Sequence, residues 1–211
     1  MSALATRVAH TDFAVRRGLI AGALLIAAAC SHPRVQSAAS AVTPSLLVVV
    51  VRHGEKAPTP ENDPSLSEAG MARAAALDAQ LRDLPITDVV VSQLQRTRLT
   101  AAVFITRTNA TVHVVPIGPE GVPAHVKAVA DTVRAIMTAY GHTGVLVVGH
   151  SNTVTPIVQA LGGPAMPSLC DAQYSRLFTL RASAGREPTL LRSNYGAADP
   201  VDASCNPLMG R

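Results

Sequence analysis

Two aliphatic, β-branched runs, each closed by a histidine, constrain this chain more than any other feature. Leu46-Leu47-Val48-Val49-Val50-Val51 leads straight into Arg52-His53-Gly54-Glu55, and Val145-Leu146-Val147-Val148 leads into Gly149-His150-Ser151. Short apolar runs of this kind read as strands buried on both faces, as in parallel sheets. Such strands carry their last residues to the edge where open α/β sheets place ligands. A cation and two imidazoles at that edge suit a site that holds an anion and attacks it. Gly54 is expected to let the backbone pass close to the bound group.

The remaining pattern alternates strand and helix. A strand over 46–52 is followed by a polar, Pro-rich loop from Ala57 to Pro64. Ser65-Leu66-Ser67-Glu68 has capping-box spacing from Ser65 to Glu68 and predicts a helix running to about Asp83. Ile86 to Val91 reads as a strand, Leu94 to Arg107 as a helix, and Val112 to Val115 as a short strand. Val122 to Tyr140 is an amphipathic helix stopped by Gly141, and a helix from Thr153 to Leu161 follows the second histidine strand. Leu177 to Leu180 and Thr189 to Leu191 are late strands expected near the sheet edge. This order predicts a three-layer α/β/α sandwich with a mostly parallel central sheet. The 211 residues suffice for one such domain. With 48% hydrophobic residues but 3% aromatics and no Trp, its core must be aliphatic.

The N-terminal segment reads differently. Arg16-Arg17 precedes an apolar stretch from Gly18 to Ala29, of signal-peptide length and short for a membrane span. The boundary Ala27-Ala28-Ala29-Cys30 resembles a lipoprotein signal, in which Cys30 would be lipidated and anchor the chain to a membrane. Ala39-Ser40-Ala41 offers an alternative Ala-x-Ala cleavage site. The expected organisation is a signal over 1–30, a linker over 31–45 and one domain over 46–211, exported to the periplasm or its membrane. Cys170 and Cys205 could then form a disulfide that ties down the C-terminal tail.

Composition excludes some partners. Arg7, Arg16 and Arg17 against Asp12 supply half of the formal net charge of +4, so the basic excess is partly a property of the leader. No basic stripe with interleaved aromatics remains, which argues against nucleic acid. No Cys or His cluster has zinc-ligand spacing.

Four motifs carry the chemistry. They are Arg52-His53-Gly54, Leu66-Ser67-x-x-Gly70-x-x-Arg73-Ala74, Ser92-x-Leu94-x-Arg96-Thr97-x-x-Thr100-Ala101 and Gly149-His150-Ser151. In this order they resemble the histidine phosphatase superfamily, also called phosphoglycerate-mutase-like, in its small branch 1 form. The resemblance runs from about Leu46 to Leu161 and weakly on to Tyr195. It implies a phosphatase acting on a small phosphorylated substrate through a phosphohistidine, with no metal or other cofactor. His53 would be the nucleophile, Arg52 and Arg96 the planar cations that grip the phosphoryl oxygens, and His150 a further donor.

The Ser-x-Leu-x-Arg-Thr spacing selects Arg96 over Arg98. Ser151 and Asn152 either line the pocket or cap the following helix. Lys56 and Asp63-Pro64 are placed at the pocket mouth, while His32, His113, His125 and His142 read as surface or packing residues. The proton for the leaving group would come from Glu120, in the Gly118-Pro119-Glu120-Gly121 loop, or from Glu55 beside the nucleophile.

Other readings compete. A phosphomutase would share the chemistry, but only a short Pro-rich loop follows the first motif, little material for a substrate cap. A phosphoryl-binding or envelope module would keep the pocket without turnover. A serine hydrolase would need Gly-x-Ser-x-Gly, and Thr153 stands where its last glycine belongs.

Overall fold

The computed structural model describes residues 45–140, 144–183, 187–201 and 205. The expected leader and linker, with Cys30, lie outside these residues, as do His32 and His142. Six strands, β1 (Ser45–Arg52), β2 (Ile86–Val91), β3 (Thr111–Val114), β4 (Gly144–Gly149), β5 (Arg176–Ser183) and β6 (Thr189–Asn194), form one sheet in the order β3-β2-β4-β1-β5-β6. The four strands from β3 to β1 are parallel, and β5 and β6 pair antiparallel at the other side. The fold is α/β with a mostly parallel sheet. Leu177 to Leu180 belong to β5, one strand in from the edge that β6 occupies.

Strand alternation divides the core into two. Val48 and Val50 of β1 pack with Val126, Val129 and Val133 of α3 (Gly121–Tyr140) and with Val154 and Ile157 of α4 (Val154–Ala160). Val49 and Val51 face the other way, toward Leu77 of α1 (Glu68–Gln80) and Phe104 of α2 (Gln95–Thr108). Each β1 valine is fully buried because helices cover both sheet faces. Phe104 is the one aromatic among the largest fully buried side chains, in keeping with the aliphatic composition.

The chain leaves β1 toward α1 on one face and leaves the adjacent β4 toward α4 on the other. That divergence opens a crevice at the C-terminal ends of these two strands, where α/β sheets bind ligands.

The helix starts differ in one respect from expectation. α1 begins at Glu68, and its cap is Ser67, whose Oγ accepts from Gly70 N at 3.2 Å. Ser65 cannot serve, because Leu66 is extended, bridged to Lys56 and buried.

Candidate active site

The two histidine strands meet as neighbours. Arg52 lies opposite Gly149 in the β1–β4 register, and His53 N donates to Gly149 O at 3.0 Å. The His53 and His150 rings lie with centroids 5.3 Å apart. Both are almost fully buried, as is Arg52.

His53 Nδ1 lies 2.7 Å from the carbonyl oxygen of Gly54. A carbonyl only accepts, so Nδ1 carries the hydrogen and Nε2 keeps its lone pair. Burial, reinforced by the charges of His150, Arg52 and Arg96, pushes the His53 pKa down to about 3, despite the Gly54 carbonyl that favours the charged form. His150 is likewise pushed to about 3, by burial first and then by Arg96. Both imidazoles are therefore neutral at pH 7, and His53 Nε2 keeps its lone pair.

Arg52 is fixed from several sides. Its Nη1 donates to the carbonyls of Cys170 (2.9 Å), Asp171 (3.0 Å) and Gln173 (3.2 Å). The guanidinium lies 4.0 Å over the Tyr174 ring, and Nη2 is 3.7 Å from Asp171 Oδ1. Arg96 enters from the first turn of α2, with Nη1 3.8 Å from Asp63 Oδ1. Asp63 Oδ1 also accepts from Gln95 N at 2.9 Å, capping a helix whose own N-cap residue, Leu94, has no side-chain acceptor. The Nε of Arg52 and that of Arg96 are buried without a hydrogen-bond partner in the protein. Buried donors are seldom left unpaired unless a ligand completes them. Two such arginines beside a neutral imidazole describe an oxyanion site.

The cleft measures about 350 Å³ and is lined by Arg52, His53, Arg96 and His150, with Ser151, Asn152, Lys56 and Asp171 at its sides. Arg98, two residues beyond Arg96, is exposed and does not line it. Residues 48–117 match the model of the histidine phosphatase superfamily (branch 1). The match spans 70 of the 211 residues and takes in both His53 and Arg96. Comparison with curated proteins gives no match.

Solved structures share the fold. The protein histidine phosphatase SixA complexed with tungstate is 22% identical with a TM-score of 0.57, covering 70% of this chain and 96% of its own. A phosphohistidine phosphatase SixA from Nakamurella multipartitia is 24% identical, TM-score 0.51, covering 72% and 98%. An alpha-ribazole-5'-P phosphatase from Escherichia coli K-12 is 17% identical, TM-score 0.55, covering 71% and 96%.

Around this cleft, several expected residues take other places. Glu55 does not line the cleft: Arg73 holds its carboxylate through Nε (3.0 Å to each oxygen) and Nη2 (2.6 Å). Glu120 is exposed in its loop and does not line the cleft either, although Ile117 and Val122 on both sides of it do. At Gly54 the N–H donates to Thr100 Oγ1 at 2.8 Å, and a Cβ would lie 2.9 Å from Gly70 O, so the glycine admits the close approach of helix α1. Ser151 and Asn152 do line the cleft, and the cap position of α4 falls to Thr153, whose Oγ1 accepts from His150 N at 2.8 Å.

His113 pairs with Asp88 at 2.7 Å, and His125 packs against the Pro116 carbonyl at 3.2 Å. Cys170 and Cys205 are bonded, with Cα atoms 5.6 Å apart. Among the described residues, no group of His, Cys, Asp or Glu gathers to hold a metal.

Sequence reasoning gave no role to Ser92, Tyr174 and Asp171. Ser92 Oγ lies 3.1 Å from His150 Nε2 and is held by Leu94 N and Thr97. Its place at the head of the Ser-x-Leu-x-Arg-Thr motif was the available signal. Tyr174 and Asp171 sit in an irregular segment between α4 and β5 with no local pattern.

Proposed function

We propose that this chain hydrolyses phosphate monoesters in two steps through a phosphohistidine on His53, without a metal. The carrying observation is the Nδ1–H of His53 fixed on the Gly54 carbonyl, which commits Nε2 to the cleft chemistry beside two arginines with unpaired Nε–H groups. Phosphoryl transfer asks the protein mainly for positioning and charge stabilisation. His53 Nε2 attacks phosphorus in line. Arg52 and Arg96 take up the charge on the equatorial oxygens, and His150, neutral in the free enzyme, is positioned to donate to one of them.

Export is part of the same proposal. Arg16-Arg17, the apolar stretch to Ala29 and the small-residue boundary at Cys30 support a signal over 1–30 that delivers the enzyme to the periplasm or anchors it by lipid to a membrane.

Hydrolysis of an aryl phosphate with chelator present, by wild type and by His53→Ala, tests the chemistry. Activity in the first and none in the second is expected. Phosphate binding without hydrolysis in either would make the chain a phosphoryl-binding module instead. Fractionation of cells expressing the full chain tests export, which fails if the protein stays cytoplasmic with residues 1–29 intact.

A further inference from the structure

The geometry points to Asp171 as the residue that protonates the leaving oxygen and then activates water, an inference that rests on the phosphatase reading above. Transfer of the phosphoryl group to His53 expels an alkoxide, and an unactivated alkoxide needs a proton as it leaves. Each other carboxylate near the cleft is committed or misplaced. Glu55 is gripped by Arg73, Glu120 does not line the cleft, and Asp63 caps α2 beside Arg96. Asp171 is the one carboxylate among the described residues that lines it.

Its position is set by the backbone around it. The Asp171 carbonyl and those of Cys170 and Gln173 bind Arg52 Nη1, and Cys170 N donates to Gln173 Oε1 at 3.0 Å. Cys170 is further tied to Cys205, and Leu169 N donates to Ser151 O at 3.0 Å. The main chain is thus fastened to the nucleophile strand while the Asp171 side chain stays 99% exposed. A group at the mouth of the cleft is free to meet the leaving oxygen, which departs on the side opposite His53 Nε2. The charged groups that Asp171 meets there are Arg52, at 3.7 Å, and the cations Lys56 and Arg96 that share the cleft.

The steps balance. The Nε2 lone pair forms the N–P bond while the P–O bond to the alcohol breaks, and the protonated Asp171 carboxyl gives its hydrogen to the departing oxygen. The alcohol leaves, and Asp171 remains as carboxylate. A water then gives a proton to Asp171 and its oxygen attacks phosphorus. The N–P bond breaks, its electrons return to Nε2, and phosphate leaves with the carboxyl restored.

Asp171→Asn in the full chain separates this role from a structural one. With 2,4-dinitrophenyl phosphate, whose leaving group needs no proton, kcat/KM should stay within about twofold, because it reports only the first transfer. With an alkyl phosphate such as glycerol 2-phosphate, kcat/KM should fall by about 100-fold, the usual size of an acid–base contribution. Phosphoenzyme should accumulate with the dinitrophenyl ester as water activation slows, and Asp171→Glu should restore part of the lost rate. Equal losses on both esters, or none on either, would overturn the assignment. A wild type that is silent on both esters and forms no phosphohistidine would sink the phosphatase reading itself, and the assignment with it.

Discussion

Arg73 closes on Glu55 with Nε and Nη2 at one end of its guanidinium and reaches the carbonyls of Tyr195 and Ala197 with Nη1 at the other. One side chain thus joins the residue two places after His53 to the segment that follows β6. Arg73 is buried, so these contacts are shielded from water.

Glu55→Gln should therefore act on stability and not on chemistry. Weakening a charge-assisted pair of this kind costs about 1–3 kcal/mol. Denaturant unfolding should show that loss, while kcat/KM toward aryl and alkyl phosphates stays within about threefold, below the effect expected of a lost acid. A drop specific to alkyl esters would return the acid role to Glu55.

Arg52 cannot be replaced by lysine. A lysine ammonium has no planar fork with which to reach three carbonyls and an anion together. Arg52→Lys should lower kcat/KM by about 100-fold or more, the range seen when one oxyanion donor is removed. Steady-state kinetics on an aryl phosphate reads this directly, and a loss under tenfold would contradict it.

The depressed pKa values of His53 and His150 have two consequences. In the free protein neither ring takes up a proton until about pH 3, so protonation of His53 should give no acid limb near 6.5 in kcat/KM. For stability, the unfolded chain binds protons at these positions below about 6.5, while the folded chain does so only near 3. Their contribution is therefore fully present above pH 6.5 and is lost as pH falls through that window. Thermal unfolding scanned from pH 7 to pH 4 should show a falling midpoint in the wild type and a shallower fall in His53→Ala.

Opening the Cys170–Cys205 bond should affect both stability and turnover. The bond closes a separation of 35 residues, and losing such a link costs about 2–4 kcal/mol. Because the Cys170 carbonyl also binds Arg52, Cys205→Ser should raise KM for an aryl phosphate as well as lower the melting temperature. Unchanged KM would mean that the other two carbonyls hold the guanidinium unaided.

Much of this was legible in the sequence because the relevant signals are local. The β-branched runs fixed β1 and β4, and the motif residues Arg52, His53, Arg96 and His150 do converge on one cleft. What escaped depends on contacts distant along the chain. The partner of Glu55 is 18 residues away, and the carbonyls that hold Arg52 are some 120 residues away, so no spacing rule could find them. The cap of α1 was displaced from Ser65 to Ser67 by burial of Leu66, a tertiary effect that capping patterns do not contain.

The close approach of Gly54 to Gly70 also limits how this chain can evolve. A side chain on Gly54 would meet the Gly70 backbone, and one on Gly70 would meet the backbone of Glu55. Enlarging both compounds the collision, so a change at one position cannot compensate for a change at the other. A library built to broaden substrate range should therefore leave both codons untouched.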